Sequence, residues 1–540
     1  MTGICVRKGV LHTAALALRT RKNPSVSRQQ PVNSALQMAA KDERCGKLSP
    51  AGSGEHGPAQ ERLRREFGAD QTVFYNRTRG VAGRTVKTFG KYPARVVVGG
   101  FTGAILVGTV LLMLPVSSAS GEWTDPVSAL FTATSAVCVT GLIVVDTGTY
   151  WSVFGQAVIA GLFQLGGLGI MTFASLLGLL VARRMGMRMQ LIAHTETKNL
   201  RLGEVRRVVI GIVRLSVLIE LAAALILGVR YYTMYTDSLP SAVGFALFHA
   251  ISAFNNAGFA LQADSVMQFV GDPVIMVPLM VAFTLGALGF PVLFEVGKYV
   301  RQMVREARSH HASANRRWTV HTKITVLTHA VLALVGIVAV MGFEWTNPAT
   351  MGPLNIGEKI LAGAFQGLAP RTVGFNSLEV GDMSPETILI TDALMFIGGG
   401  SAGTAGGIKV TTFALLGFVI YAELRGQPTV HVMGRKIAES VQRQALTVAL
   451  LGVAAVIGST VALLALSDHE VDLVLFEAIS AFGTVGLSMG ITADLPAAGH
   501  LVLVVLMLLG RVGPIMLASA LALQERPRRY ELPEERPIVG

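Results

Sequence analysis

Charge is scarce in this chain. Asp, Glu, Lys and Arg together make up 15% of 540 residues while 51% are apolar, whereas soluble domains carry about a quarter charged residues. An ordinary water-soluble fold is excluded as the frame. Cysteine is sparse too: Cys5 and Cys45 lie in a polar N-terminal stretch and Cys138 in an apolar one, so no disulfide framework is implied. Neither H-E-x-x-H nor C-x-x-C occurs, and the histidines in apolar runs are isolated. A nucleophile–base pair or metal cluster for an enzyme within the membrane is therefore not visible, and no catalytic residue is assigned. The first 40 residues lack Asp and Glu but hold six Lys or Arg, as transit peptides do. Residues 1–85 also lack the apolar content to order themselves, and a disordered, basic, cytoplasmic N-terminal extension, or an upstream start codon, is expected there.

What the chain has instead is length without charge. Runs of roughly 20 apolar residues, enough to cross a ~30 Å hydrocarbon core, recur at about Ala94–Pro115, Val153–Val181, Val208–Val229 and Val274–Val296. Four more follow at about Ile324–Phe343, Ile388–Leu424 with a glycine-rich interruption, Ala445–Leu466 and Leu501–Leu523, giving eight spans. The net charge of +12 does not point to nucleic acid, because the basic residues collect in alternate connectors. Arg183, Arg184 and Arg188 mark one, Arg301, Arg305, Arg308, Arg316, Arg317 and Lys323 a second, and Arg425, Arg435, Lys436 and Arg443 a third. The segment Ser117–Pro126 carries no cation. The positive-inside rule then puts both termini and these three connectors of the multi-pass chain in the cytoplasm, and the plasma (cell inner) membrane is the expected location. Trp123, Trp151, Trp318 and Trp345 all fall at expected span ends, as an interfacial belt requires. The basic connectors offer a surface for anionic membrane lipids or a protein partner.

An internal repeat organises the spans. LFTATSAVCVTGL (130–142), LFHAISAFNNAGF (247–259), AFQGLAPRTVGF (364–375) and LFEAISAFGTVGL (475–487) each lie between two spans. Their closing glycines, Gly141, Gly258, Gly374 and Gly486, are 258−141 = 117, 374−258 = 116 and 486−374 = 112 residues apart. Each apolar segment is too short to cross the bilayer and fits a re-entrant half-helix followed by extended chain. Irregular backbone at that depth is tolerated where it lines a polar cavity. The expected fold is an all-α polytopic membrane protein of four span–half-helix–span repeats, with eight transmembrane helices and four re-entrant pore loops around one pore. The repeats are placed at 86–190, 191–306, 307–430 and 431–525, with a cytoplasmic tail at 526–540. The half-helix C-termini would aim the negative ends of their dipoles at the membrane centre, which favours cations. Asp146, Asp264, Glu379, Asp382 and Asp494, one or two after each loop, either form an acidic outer vestibule or are simply solvated.

A monovalent cation sheds water only where oxygens replace it, and backbone carbonyls do so when extended chain crowds an axis. Glycine permits the dihedrals and the close approach. The candidate selectivity filter is therefore Cys138, Val139, Thr140 and Gly141; Asn255, Asn256, Ala257 and Gly258; Thr372, Val373 and Gly374, after Arg371; and Gly483, Thr484, Val485 and Gly486. Two of the four loops contain TVG, as in the potassium-channel TVGYG filter; a three-residue match is short, and its weight lies in recurring at the same place in the repeats, with potassium at these carbonyls as the candidate cargo. A packing role for the glycines explains one such loop well and four in register poorly. The run MFIGGGSAGTAGGIKV, 395–410, should break its helix at Gly398, Gly399, Gly400, Gly403, Gly406 and Gly407, because each costs roughly 1 kcal/mol relative to alanine. The resulting loop, 397–409, is a candidate gate across the ion path with Lys409 at its edge. Gly398, Gly400 and Gly403 satisfy G-x-G-x-x-G, but no strand precedes them, and Ile408 spoils a Walker pattern. Arg511 costs ~2.5–3.5 kcal/mol at the bilayer centre unless paired or wet, so it should face the pore and pair with gate carbonyls. Glu220 reads as a hydrogen-bond partner between helices, Asp392 as lying near an interface, and His249 and Glu477 as polar packing behind the filter.

The chain resembles pore-forming subunits of the Trk/Ktr/HKT superfamily of potassium transporters, and is most similar to the bacterial Ktr and Trk membrane subunits. The resemblance rests on PARVVVGGFTGAILVGTVLLMLP, QLGGLGIMTF, SAVCVTGL, SAFNNAGF, VHTKI, RTVGFN, FIGGGSAGTAGGIK, SAFGTVGLSMG, LLGRVGPIML and RRYELPEERPIVG, from about Tyr92 onward. It implies one permeation path through four repeats, a homodimer, a cytosolic nucleotide-binding regulatory ring, an intramembrane gate at the glycine-rich loop, and no organic cofactor. It also implies that glycine in all four filter loops accompanies potassium, whereas serine in the first accompanies sodium; this chain has Gly141. Departures are Cys138, where hydroxyl residues are commoner, and a third loop one residue shorter, Phe365 to Gly374. GRKI at 434–437 matches a cytoplasmic segment of the family. A sodium-permeable or sodium/potassium-coupled member, with Na+ as a coupling ion, and a non-transporting receptor or scaffold are the alternatives.

Overall fold

The computed structural model describes residues 93–169, 172, 202–309 and 318–513. The N-terminal extension with Cys5 and Cys45, the Arg183–Arg188 connector, Arg316, Arg317, the ends of two expected spans (170–181 and 514–523) and the C-terminal tail lie outside them. Each expected repeat contains a long apolar helix near its start: α1 (Pro93–Met113), α4 (Leu202–Met234), α8 (Val320–Glu344) and α12 (Glu439–Leu464). The half-helices follow as α2 (Pro126–Cys138), α5 (Leu239–Asn255), α9 (Ile356–Leu368) and α13 (Val471–Gly483). After the glycine turns come α3 (Val153–Gly169), α6 (Pro273–Leu288) with α7 (Phe290–Ser309), α10 (Pro385–Phe396) with α11 (Val410–Leu424), and α14 (Ala497–Val512). Among the described residues four helices, α1, α4, α8 and α12, are long and apolar enough to cross a membrane, and the bent α6–α7 pair would make a fifth. The protein is mostly helical.

Two of the half-helices, α2 and α9, start where side chains take up free N–H groups. Asp125 caps α2 by accepting from the N–H of Val127 and Ser128, both at 3.0 Å, and Pro126 supplies a preset first turn. Asn355 and Glu358 form a capping box on α9. Within each repeat the long helix packs on its half-helix: α1 on α2, α4 on α5, α8 on α9, α12 on α13. Between repeats, Phe163 of α3 meets Phe248 of α5, α6 meets α9, α10 meets α13, and α14 meets α2. Each post-turn helix thus leans on the next half-helix, and the last closes on the first.

The expected span Val274–Val296 is not one helix. It bends by 110° between Leu288 and Phe290. Gly289 takes a φ of +89°, and a Cβ there would sit 2.5 Å from the Ser401 carbonyl oxygen. Pro291 follows and has no N–H to offer the Ala287 carbonyl. That oxygen instead accepts the Gly400 N–H at 2.7 Å, the Gly286 carbonyl accepts the Thr404 N–H at 3.2 Å, and the Phe290 N–H donates to the Ala402 carbonyl at 3.1 Å. The helix is broken where the glycine-rich loop replaces its own ladder. Trp151 also departs from expectation: it is buried beside Tyr150 with α1, α2 and α3, while Trp123 is exposed. Beyond α11 a small hairpin, His431–Val432 paired with Arg435–Lys436, turns through Met433 and Gly434, both at positive φ.

Candidate ion pathway

Three half-helices end identically, and their sequences explain why. Ser135-Ala136, Ser252-Ala253 and Ser480-Ala481 offer carbonyls to the turn: Val139, Asn256 and Thr484 donate to the alanine oxygen, and Thr140, Ala257 and Val485 to the serine oxygen. This is a Schellman-type close, which needs a left-handed residue. Val139 (φ 57°), Asn256 (φ 59°) and Thr484 (φ 49°) supply it although none is glycine. The shorter third loop closes otherwise: Pro370 lacks an N–H, Arg371 donates to the Leu368 oxygen, Val373 to that of Ala369, and Thr372 (φ 66°) is left-handed. The left-handed residue nonetheless falls two before the glycine in all four loops.

The glycines meet. A Cβ on Gly141 would lie 2.5 Å from the Ala257 oxygen and 3.1 Å from the Cα of Gly258. One on Gly258 would lie 2.7 Å from the Gly374 Cα, and one on Gly374 would lie 2.7 Å from the Val485 oxygen. From Gly486 it would reach the Thr140 oxygen and come within 3.1 Å of the Gly141 Cα, closing the ring. Among the described residues no hydrogen bond ends on the carbonyl oxygens of Thr140, Ala257, Val373 or Val485, and the buried hydroxyls of Thr140, Thr372 and Thr484 have no partner. Buried polar atoms ordinarily find partners. Four unclaimed carbonyls around one closed ring, with three unclaimed buried hydroxyls on the same turns, form an oxygen set suited to a hard monovalent cation.

The expected filter residues do not all share that ring. Cys138, Asn255 and Gly483 are the last residues of α2, α5 and α13. Asn255 turns its side chain away to Gln164, at 2.5 Å, and lies 3.4 Å from Glu220, which also accepts from Gln164 at 3.1 and 3.2 Å. Glu220 is thus an inter-helix hydrogen-bond partner. His249 and Glu477 sit buried behind the turns; Glu477 accepts from Ser488, at 2.8 Å, and from Thr492. Asp392 is buried with one carboxylate oxygen unpaired.

The glycine-rich loop does interrupt the helix between Phe396 and Val410. Its two limbs touch as a parallel bridge at Ile397 and Ile408, and Val410 donates to the Gly399 oxygen at 3.0 Å. Gly398, Gly399, Gly400 and Gly403 pack against neighbouring backbone, and Gly406 against Thr484 of the fourth turn. Lys409 folds back on its own loop, donating to the oxygens of Ala405 at 2.6 Å and Gly406 at 3.1 Å. Arg511 donates to the Thr404 carbonyl and, at 3.2 Å, to that of Gly166. A third cation also holds the loop. Arg371, 2% exposed, donates to the Gly398 oxygen at 2.9 Å and to His329 Nδ1 at 3.2 Å. In the sequence Arg371 carries the same signal as Arg511, an arginine in an apolar stretch, although RTVG draws attention to its glycine instead.

A helical, apolar chain with four such turns on one ring is a membrane protein of the cation-transport class. The family comparison agrees: the chain belongs to the TrkH cation transport protein family, whose profile matches residues 98–527. It is 41% identical over 438 residues to the Ktr system potassium uptake protein B of Bacillus subtilis, covering 80% of this chain and 94% of that protein. The Ktr system potassium uptake protein B of Vibrio alginolyticus is 38% identical, with 85% and 97% covered. The potassium/sodium uptake protein NtpJ of Enterococcus hirae is 32% identical, with 83% and 97% covered. The crystal structure of the potassium transporter TrkH from Vibrio parahaemolyticus superposes with a TM-score of 0.60 at 17% identity, covering 79% of this chain and 85% of that one, which speaks to the fold alone. These relatives are transport and uptake proteins, in line with the absence of a catalytic assignment.

Proposed function

We propose that this chain is the pore-forming subunit of a potassium uptake system. Potassium enters across the plasma membrane through the ring of Gly141, Gly258, Gly374 and Gly486, with the carbonyls of Thr140, Ala257, Val373 and Val485 replacing its water. The observation that carries this reading is the closure of those four turns on one another with their oxygens unclaimed. In the same reading the chain is four span–half-helix–span repeats with eight transmembrane spans and both termini cytoplasmic. The loop 397–409 is the gate, held shut by Lys409 and Arg511. A homodimer and a cytosolic nucleotide-binding ring complete the assembly. Support for a multi-part system comes from the relatives' names, which are proteins B and D of a Ktr system. The exposed basic hairpin at Arg435 and Lys436 offers a docking face for the ring or for anionic lipid. Sodium permeation or coupling is the second reading, favoured by kinship to the potassium/sodium protein NtpJ.

The test is rescue of growth at low potassium in a bacterium lacking its own potassium uptake, with a ring-forming partner co-expressed and rubidium uptake measured. Uptake that prefers potassium over sodium in the wild type, and loses that preference in Gly141→Ser, is the expected result. A membrane-inserted wild type without flux would remove the proposal.

A further inference from the structure

Thr404 is the residue on which gate, filter and pore cation converge. It is fully buried at the tip of the glycine-rich loop, and each of its three polar groups binds a different element. Its N–H donates to the Gly286 carbonyl of α6 at 3.2 Å, its carbonyl accepts from Arg511 of α14, and its hydroxyl donates to Asn256 Oδ1 at 2.8 Å. Asn256 is the left-handed residue of the second filter turn, 1% exposed, and its Nδ2 has no partner. Among the described residues Thr404 is therefore the one hydrogen-bond partner of the Asn256 side chain. The pair is seated over Gly286, where a Cβ would first meet the Phe254 carbonyl oxygen and would lie 2.8 Å from Asn256 Oδ1 and 2.9 Å from Thr404 Oγ1.

We infer that the Thr404 hydroxyl is a specificity-determining contact that ties the gate loop to the selectivity filter, so that displacing the loop also loosens the second filter turn. The inference rests on the potassium-pore reading and extends it. Asparagine is among the few non-glycine residues that enter the left-handed region, helped by local hydrogen bonds of its side chain, and a buried side chain with one hydrogen bond has nothing else polar to define it. Asn256 immediately precedes Ala257, whose oxygen lies in the glycine ring. When the loop withdraws, Thr404 goes with it, Asn256 loses its acceptor contact, and the Ala257 carbonyl is free to shift. Filter and gate then act as one coupled device rather than as two in series. Thr404 is a positioning residue: it acts on the ion through Asn256.

The experiment uses the full chain in proteoliposomes with its partner ring, reading rubidium against sodium uptake normalised to protein incorporated. Thr404→Val keeps the shape and removes the hydroxyl; it is expected to lower rubidium-over-sodium discrimination roughly three- to ten-fold, the scale of one lost hydrogen bond. Thr404→Ser restores the hydroxyl and should restore the ratio. Asn256→Ala should reproduce the Thr404→Val ratio, and the double variant should add nothing, as expected for two ends of one contact. A Thr404→Val protein whose flux changes at an unchanged ratio, or additive effects in the double variant, would overturn the inference while leaving the pore intact. A wild type with no rubidium uptake would refute the pore and this inference together.

Discussion

Two glycines with the same backbone angle separate crowding from strain. Gly141 and Gly490 both sit at φ +95°, but a Cβ on Gly141 meets the Ala257 oxygen at 2.5 Å, whereas nothing lies within 4 Å of one on Gly490. Alanine at either position adopts a left-handed conformation that costs about 1–3 kcal/mol. At Gly490 that is the whole effect. At Gly141 the added carbon is also roughly an ångström inside the ~3.5 Å separation at which non-bonded heavy atoms pack, and its neighbour is backbone that cannot rotate away. The Ala257 carbonyl must retreat, and constellations that discriminate ligands tolerate only about 0.5 Å. Thermal denaturation in detergent and paired rubidium and sodium uptake give the readout. Gly490→Ala should lose stability on the scale of the strain and keep its ion preference. Gly141→Ala should lose more stability than Gly490→Ala, because the clash adds to the strain, and most of its discrimination, on the order of ten-fold or about 1.4 kcal/mol. Equal loss of preference in the two variants would mean that glycine serves only the dihedral, and the closed ring of turns would have no functional meaning.

Other substitutions test the elements around that ring. Gly289→Ala places a carbon 2.5 Å from the Ser401 oxygen at a φ of +89°, so the loop tip should lift from the α6–α7 bend and basal rubidium flux without partner should rise; unchanged flux would separate the bend from the gate. Arg511→Ala removes the donors to the Thr404 and Gly166 carbonyls, and efflux from rubidium-loaded proteoliposomes should quicken several-fold; a slower efflux would contradict a closing role. Asp272 caps α6 through the Val274 N–H at 3.0 Å and accepts from Arg230 at 2.7 Å and from Tyr235 at 3.1 Å. Asp272→Ala should therefore cost about 2–4 kcal/mol in a thermal melt, with ion preference untouched because the cluster lies off the filter.

What sequence made legible was whatever repeats or violates the membrane's rules. The four turns were visible because their glycines recur at nearly constant spacing, and the loop 397–409 because six glycines in an apolar run have no stable helix to join. Arg511 stood out through its cost in hydrocarbon. Thr404 and Gln164 carry no such mark, since a threonine in a glycine-rich loop or a glutamine in an apolar helix is unremarkable until its partner from another part of the chain is known. The bend at Gly289 was hidden for a related reason. Gly289-Phe290-Pro291 weakens a helix, but the break is sharp because the Gly400 and Thr404 N–H groups arrive to take the freed carbonyls, and those come from over 100 residues away.

The loop's three cations share one chemical habit. Arg371, Lys409 and Arg511 all donate to backbone carbonyls, of Gly398, of Ala405 and Gly406, and of Thr404 and Gly166 respectively. A glycine-rich loop at membrane depth exposes such oxygens because it has no ladder to use them. Left bare, they would be free oxygen ligands able to attract the same cation that the proposed filter admits. Occupied by the protein's own fixed charges, they present neither free ligands nor a neutral path, so the proposed gate blocks by charge as well as by bulk. Opening it then means exchanging an arginine–carbonyl bond for a potassium–carbonyl one, a swap between two similar interactions with a smaller barrier than breaking either into empty hydrocarbon. That exchange predicts that raising potassium on the filter side favours opening of the wild type and has little effect once Arg511→Ala has removed the competitor.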